Sequence, residues 1–255
     1  MKAIFDKEFR SYFTSSIGYI FMVVFLFISG IFFALSNLIP AKSDYSSVLQ
    51  NTIFVFMILV PVLTMRTLAE ETAQKTDQLL LTAPLKVSDI VLGKYFAAVC
   101  LFLLTLLITC IYPLIMSMFG KINVWEIVGN YVGFALMGMA FIAVGLFISS
   151  LTDKQIIAAV GTLGALLFLW IIDWLKQALP TSMTAGIVFA AILVFALCAI
   201  VYNATKNIYI GIGVGIVGAI IMAIVYFAKK TLYEGFTSRF FGWFSLVNRY
   251  YNFAM

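Results

Sequence analysis

Seven stretches of this chain contain no Asp, Glu, Lys or Arg: residues 11–41, 45–65, 95–120, 127–152, 155–172, 177–205 and 207–228. A helix crosses the hydrocarbon core of a bilayer in about 20 apolar residues, and lipid offers no partner to an unpaired backbone amide, so runs of this length fold as membrane-spanning helices. All 16 basic and 11 acidic residues of the 255 fall outside these runs. Charged residues are 11% of the chain, against about 25% in a soluble domain. The expected fold class is all-α: a polytopic integral membrane protein of about seven transmembrane helices, forming one membrane domain over residues 1–255.

Composition also removes chemistries. The chain has no His, so no imidazole base, triad or imidazole-bound metal can be built from it. Cys100 and Cys110 lie ten positions apart on one expected helix, about 15 Å at 1.5 Å per residue, too far to bridge; with Cys198 they read as small apolar packing residues. A net charge of +5 would suggest nucleic acid in a soluble protein. No soluble basic domain is present, so no nucleic-acid partner is expected, and the basic excess orients the chain and meets anionic membrane lipid.

Charge sets the expected orientation. With the N-terminus in the cytoplasm, the inner segments hold Lys2, Lys7, Arg10, Arg66, Lys75, Lys86, Lys94, Lys154 and Lys206, and the outer loops only Lys42, Lys121 and Lys176. This satisfies the positive-inside rule and describes a multi-pass protein of the cell membrane. Lys229, Lys230, Arg239 and Arg249 lie in a tail that seven spans would place outside, against the same rule.

Along the chain, Phe5, Phe9, Tyr12 and Phe13 recur at helical spacing while Lys2, Asp6, Lys7 and Arg10 fall elsewhere on the wheel. Residues 1–16 therefore read as an amphipathic helix on the inner membrane surface, although the pattern equally fits a plain charged anchor to the first span. Spans are expected at about 17–39, 48–64, 95–118, 127–150, 155–175, 184–202 and 207–227. Between spans two and three, residues 65–94 carry eight charges, including Arg66, Glu70, Glu71, Lys75 and Asp77. A polar helix of about 15 residues is expected there, ending at Pro84. Pro113 should kink span three, and Gly129, Gly133, Gly138 and Gly145 should let another helix approach span four.

Span five ends in Trp170, Asp173 and Trp174, an aromatic belt for the outer interface. Asp173 has no ionisable neighbour within its span, which favours an interfacial carboxylate over a proton site. Glycines 211, 213, 215 and 218 are not a phosphate loop, because the lysine-and-hydroxyl ending is missing. No cofactor site is expected on this chain. Residues 229–255 mix aromatics, Phe240 and Trp243 among them, with Glu234, Arg239 and Arg249, as an outer interfacial segment would.

The segment MRTLAEETAQKTDQLLLTAPLKVSDIVLGK, residues 65–94, resembles the first cytoplasmic loop of permeases of the ABC type 2 export family, most closely the gliding-motility-type branch. Arg66, Glu70, Glu71, Thr76, Leu79, Leu80, Thr82, Pro84, Leu92, Gly93 and Lys94 match in order, while Lys75 and Gln78 stand where Gly and Glu are usual. The opening KEFRSYFTSSIGYIF is similar to the family's N-terminal elbow helix. The resemblance implies that 65–94 is a coupling segment whose Arg66, Glu70, Glu71, Lys75 and Asp77 meet a separate cytoplasmic ATPase. It further implies two ATPase copies holding the ATP and Mg, a second permease chain, identical or related, and outward transport of a lipid-like, amphipathic or peptide substrate.

Two other readings stay open. An ion-coupled secondary transporter would need intramembrane acids or broken helices near the midplane. A membrane-embedded lipid-modifying enzyme would need converging acids or a nucleophile, and Glu126 and Asp173 are isolated in sequence.

Overall fold

The structure is a computed structural model that describes residues 1–40, 45–76, 86–119, 123–206, 209, 213–220, 233–245, 247 and 250. The elements are α1 (Lys2–Thr14), α2 (Ser16–Phe33) prolonged by a π-helical turn (Ala34–Leu38), α3 (Ser46–Thr64), α4 (Ala69–Ala73), α5 (Val87–Thr109), α6 (Ile111–Phe119), α7 (Val124–Ser149), α8 (Gln155–Ala178), α9 (Met183–Thr205) and α10 (Phe236–Phe244). Among the described residues there is no strand, and six helices are long and apolar enough to span a membrane: Ser16–Leu38, Ser46–Ala73, Val87–Met118, Val124–Ser149, Gln155–Ile172 and Met183–Val201. The expected seventh span, 207–227, lies largely outside the described residues, of which 213–220 are helical.

The chain forms two compact units. In the first, residues 1–168 with Val247 and Tyr250, helices α2, α3, α7 and α5 pack in a ring, each against the next. Their shared interior is a layer of fully buried rings. Phe56 lies 6.0 Å from Phe25, 4.7 Å from Phe102, 5.6 Å from Phe134 and 6.2 Å from Phe141 between ring centroids. Lipid tails are as apolar as leucine, so such contacts hold through close packing rather than by expelling water. Gly138 shows how close that packing is: a Cβ there would stand 2.4 Å from the Phe102 ring. The small-residue face expected on span four therefore serves helix packing within the unit.

Three details refine the sequence reading. Of the expected polar helix after span two, α4 covers Ala69–Ala73, while residues 77–85, Asp77 and Pro84 included, are outside the described set. Span three begins at Val87, two turns before the expected start, because Lys94 lies inside the helix with its charge paired. Pro113 brings no N–H to the Thr109 carbonyl, and the helix is interrupted for one residue, between Thr109 and Ile111, within the one span Val87–Met118.

The second unit, residues 169–245, holds α9 and α10. Phe189 of α9 meets Phe236, Phe240 and Phe241 of α10 with centroids 6.2, 5.3 and 5.4 Å apart. The Gly235 N–H donates to the Thr181 carbonyl, so α10 sits at the starting end of α9. Gly215 lies against Cys198 and Gly218 against Val194, so 213–220 runs antiparallel to α9.

Candidate functional site

The charged residues of the 65–76 segment meet α1 and α5 at one end of the first unit. Ser15 adopts an extended conformation that separates α1 from α2, and Gly18 allows the corner, since a Cβ there would stand 2.3 Å from the Tyr12 carbonyl oxygen. Folded back in this way, α1 places Ile4, Glu8 and Tyr12, spaced four apart, toward the bundle, and Ile4 rests on Gly93 of α5. Phe5, Phe9 and Phe13 form a half-buried row along its flank, with centroids 5.7 and 5.1 Å apart. Tyr12 is thus not on the aromatic face where the sequence spacing placed it. It is buried, and burial pushes its phenol up to about 12.

Lys94 is the centre of the arrangement. Its side chain is 1% exposed, and its Nζ lies 2.9 Å from Glu8 Oε1 and 2.9 Å from Glu71 Oε1 while donating to the Thr67 carbonyl at 2.8 Å. One ammonium therefore ties α1, the 65–76 segment and span three. Lys7 adds to the same carboxylates, at 3.3 Å from Glu71 and 3.6 Å from Glu8. Burial pulls the Lys7 pKa down, but Glu71 and Glu8 outweigh it and hold the ammonium above its ordinary 10.5. A buried cation left without partners is expensive, and here three oxygens surround it.

The rest of the segment is fixed around this centre. The Arg66 guanidinium pairs with Glu70, Nη2 donating to Oε1 at 2.8 Å, and Gln74 Nε2 donates to the same oxygen at 3.3 Å. Ser149, at the last turn of α7, accepts from the N–H groups of Leu68 and Ala69 at 3.3 and 3.1 Å, so another helix caps the start of α4. At the other end of α4, Lys75 N–H reaches the Thr72 carbonyl and Thr76 N–H the Glu71 carbonyl, a Schellman closure with Lys75 at φ 57° in the left-handed position that glycine usually fills. Thr72, Ala73, Gln74 and Lys75 are exposed, while Glu70 and Glu71 are half-buried and paired.

A cavity of ≈ 50 Å³ lies between α1 and this segment, lined by Glu8, Ser11, Ser15, Arg66 and Glu70 among others. Ligand sites for drug-sized molecules run to roughly 300–1,000 Å³, so this place is built as a joint and not as a cargo site. The described residues bring no three Cys, Asp or Glu side chains together as metal ligands. Of the residues expected at the outer interface, Trp170 and Trp174 stack obliquely at 5.8 Å on α8, Phe240 packs on Phe189, and Trp243 is 78% exposed. Asp173 lies on α8 with its side chain outside the described set.

A family model described as ABC-2 family transporter protein matches residues 40–229. The chain belongs to the ABC-2 transporter family. It is a multi-pass membrane permease of the ABC type, and the matched region covers five of the six described spans and the 65–94 segment whose motif carries the resemblance. No curated protein and no solved structure matches the chain.

Sequence reasoning missed Glu8 and gave Lys94 no role. Both left a signal. Glu8 interrupts the i, i+4 row of Ile4 and Tyr12, and Lys94 has Ile90 and Ala98 at its i±4 neighbours, so its partner had to come from another segment.

Proposed function

We propose that this permease is the membrane subunit of an ATP-driven exporter of the gliding-motility-type branch, with its N-terminus and the 65–94 segment in the cytoplasm. In this reading α1 is the elbow helix and residues 65–94 are the coupling segment. Two copies of a separate ATPase subunit, holding ATP and Mg, dock there, and paired permease chains, identical or related, rock between inward- and outward-facing states to export a lipid-like, amphipathic or peptide substrate. The chain crosses seven times: 213–220 runs antiparallel to α9, and by Tyr233, whose carbonyl crowds Gly186, the chain is back at the starting end of α9. That arrangement supports placing residues 229–255 on the outer side.

The observation that carries this reading is the Lys94 joint in a chain of this family. A push on the exposed tip, Thr72 to Lys75, acts on a segment that is ion-paired to span three and capped by span four. The test is purification of the permease from its native membranes with identification of bound proteins. A cytoplasmic ATPase should accompany the wild-type chain; its absence would overturn the proposal. Lys75→Gly tests the tip. Glycine fits the left-handed turn, so the variant gains about 1 kcal/mol of stability, yet it should hold the ATPase more weakly because the exposed cation is gone.

A further inference from the structure

The interior of the α2–α3–α5–α7 ring changes character one helical turn beyond its phenylalanine layer, on the side away from Lys94. Asn130 of α7 is 1% exposed, and neither its amide nitrogen nor its oxygen has a hydrogen-bond partner among the described protein groups. It stands one turn before Phe134, whose ring meets Phe25, Phe56 and Phe102 at 6.2, 5.6 and 6.1 Å, so the Asn130 side chain is aimed at the axis of the ring of helices.

Beside Asn130 in the chain, Tyr131 belongs to a cluster of hydroxyls and flat rings. The Tyr45 and Tyr131 hydroxyls are 2.8 Å apart, with the two rings stacked at 5.7 Å, and Thr109 Oγ1 lies 3.2 Å from the Tyr131 hydroxyl. Tyr112 stacks on Phe33 at 4.9 Å and donates to the Leu26 carbonyl at 3.0 Å. Tyr112 and Tyr131 are half-buried and Cys110 is exposed, so the cluster reaches the flank of the unit. Two walls change at this level: α2 passes into its π-helical turn at Ala34, and α5 gives way to α6 at Cys110, whose backbone stays helical. π-helical turns often accompany function.

None of these residues is charged, and Glu126, one turn before Asn130 on α7, is exposed, so among the described residues an ionised head group would find no buried counter-charge. Unmatched amide donors and acceptor, neighbouring hydroxyls and stacked aromatic faces complement a neutral ring bearing several hydroxyls, with apolar C–H faces for the aromatics and O–H groups for Asn130, Thr109 and Tyr131. The geometry points to a binding site for an uncharged glycosyl head group carried on an acyl chain, entering from the flank at Cys110. Assigning that head group to the exported substrate rests on the permease reading above; the binding itself does not.

The test uses the full-length permease without any ATPase, in phosphatidylcholine nanodiscs doped equally with glucosyl diacylglycerol, phosphatidylglycerol and plain diacylglycerol, with native mass spectrometry reading which lipid is retained. Glucosyl diacylglycerol should be retained in preference to both others. Asn130→Leu, which keeps the volume and removes the polar group, should lower that retention roughly tenfold without lowering the thermal midpoint. Should that variant not fold, Tyr131→Phe, which removes one hydroxyl, should still lower retention several-fold. Preferential retention of phosphatidylglycerol, equal retention of all three lipids, or retention unchanged in the variants would overturn the site. Failure of the permease reading is distinguishable, since it would appear as a wild-type chain that retains the glycolipid but brings no ATPase from its membranes.

Discussion

The two ends of the first unit are built from opposite chemistry. At the Lys94 end a buried charge has its counterparts: one ammonium takes two carboxylates and a carbonyl, and beside it the partly exposed Arg66 takes Glu70. At the Asn130 end the described buried residues are uncharged, Glu126 one turn earlier being exposed, yet a buried amide has no partner among the described residues. A low-dielectric interior makes both arrangements consequential, because paired charges attract strongly there and unpaired dipoles are costly. The first end is suited to holding three segments in one geometry. The second is suited to receiving something that supplies the missing hydrogen bonds.

The largest effect that could break this contrast is at Lys94. Lys94→Met removes the shared cation and leaves Glu8 and Glu71 facing each other, which should cost about 3–5 kcal/mol. The triple variant Lys94→Met, Glu8→Gln, Glu71→Gln should recover much of that loss, since neutral amides tolerate the site. Thermal unfolding in nanodiscs reads both. Equal stability of the single and triple variants would mean that the ion pairs do not hold this end together.

Gly138 lies between the two ends and should behave as a packing position. Its missing Cβ keeps α7 within reach of the Phe102 ring, and Gly138→Ala would insert a methyl group 2.4 Å from that ring. The expected loss is about 1–3 kcal/mol, with no change in which lipid or partner is bound. An unaltered midpoint would show that α5 and α7 can separate freely, and that the aromatic layer does not divide the two ends.

At the far end the sign reverses. Asn130→Leu should raise the stability of the ligand-free permease by about 1 kcal/mol, because it removes a buried amide that has no protein partner. A stabilising substitution that lowers ligand retention would sharpen the contrast, as a residue kept only for packing would lose both or neither.

How much of this was legible in the sequence follows from the range of the interactions. Charge-free runs report directly on membrane burial, so the six described spans lie close to their expected places. The 65–94 segment was visible through its charges and its motif, and the position of Lys75 where glycine is usual corresponds to the left-handed closure of α4. What periodicity could not show were contacts between distant segments. Glu8 meets Lys94 across 86 positions, and the Tyr45–Tyr131 pair also spans 86. Tyr12 was placed on the lipid face because the wheel groups it with Phe5, Phe9 and Phe13, whereas the corner at Ser15 turns the Ile4–Glu8–Tyr12 row toward the bundle. Glu70 and Glu71, expected to meet the ATPase, also form ion pairs within the chain that pattern alone does not reveal.

The smallest effect is expected at Lys7, and it is a test of how local the Lys94 joint is. Lys7 reaches the same carboxylates as Lys94, but its side chain is 62% exposed, so water and salt screen the attraction and Lys7→Gln should cost no more than about 1 kcal/mol. Its pKa is held above 10.5 in the folded chain, which fixes the sign of the pH dependence. The stabilisation from Lys7 is fully present below the unfolded value of 10.5 and is lost as pH rises through the higher folded value. The difference between wild type and Lys7→Gln should therefore stay flat from about pH 6 to 9, shrink only above 10.5, and fall with added salt at every pH. A Lys7→Gln loss as large as that of Lys94→Met, or one insensitive to salt, would mean that the outer lysine shares the buried role, and the joint would then extend along α1 rather than centre on a single ammonium.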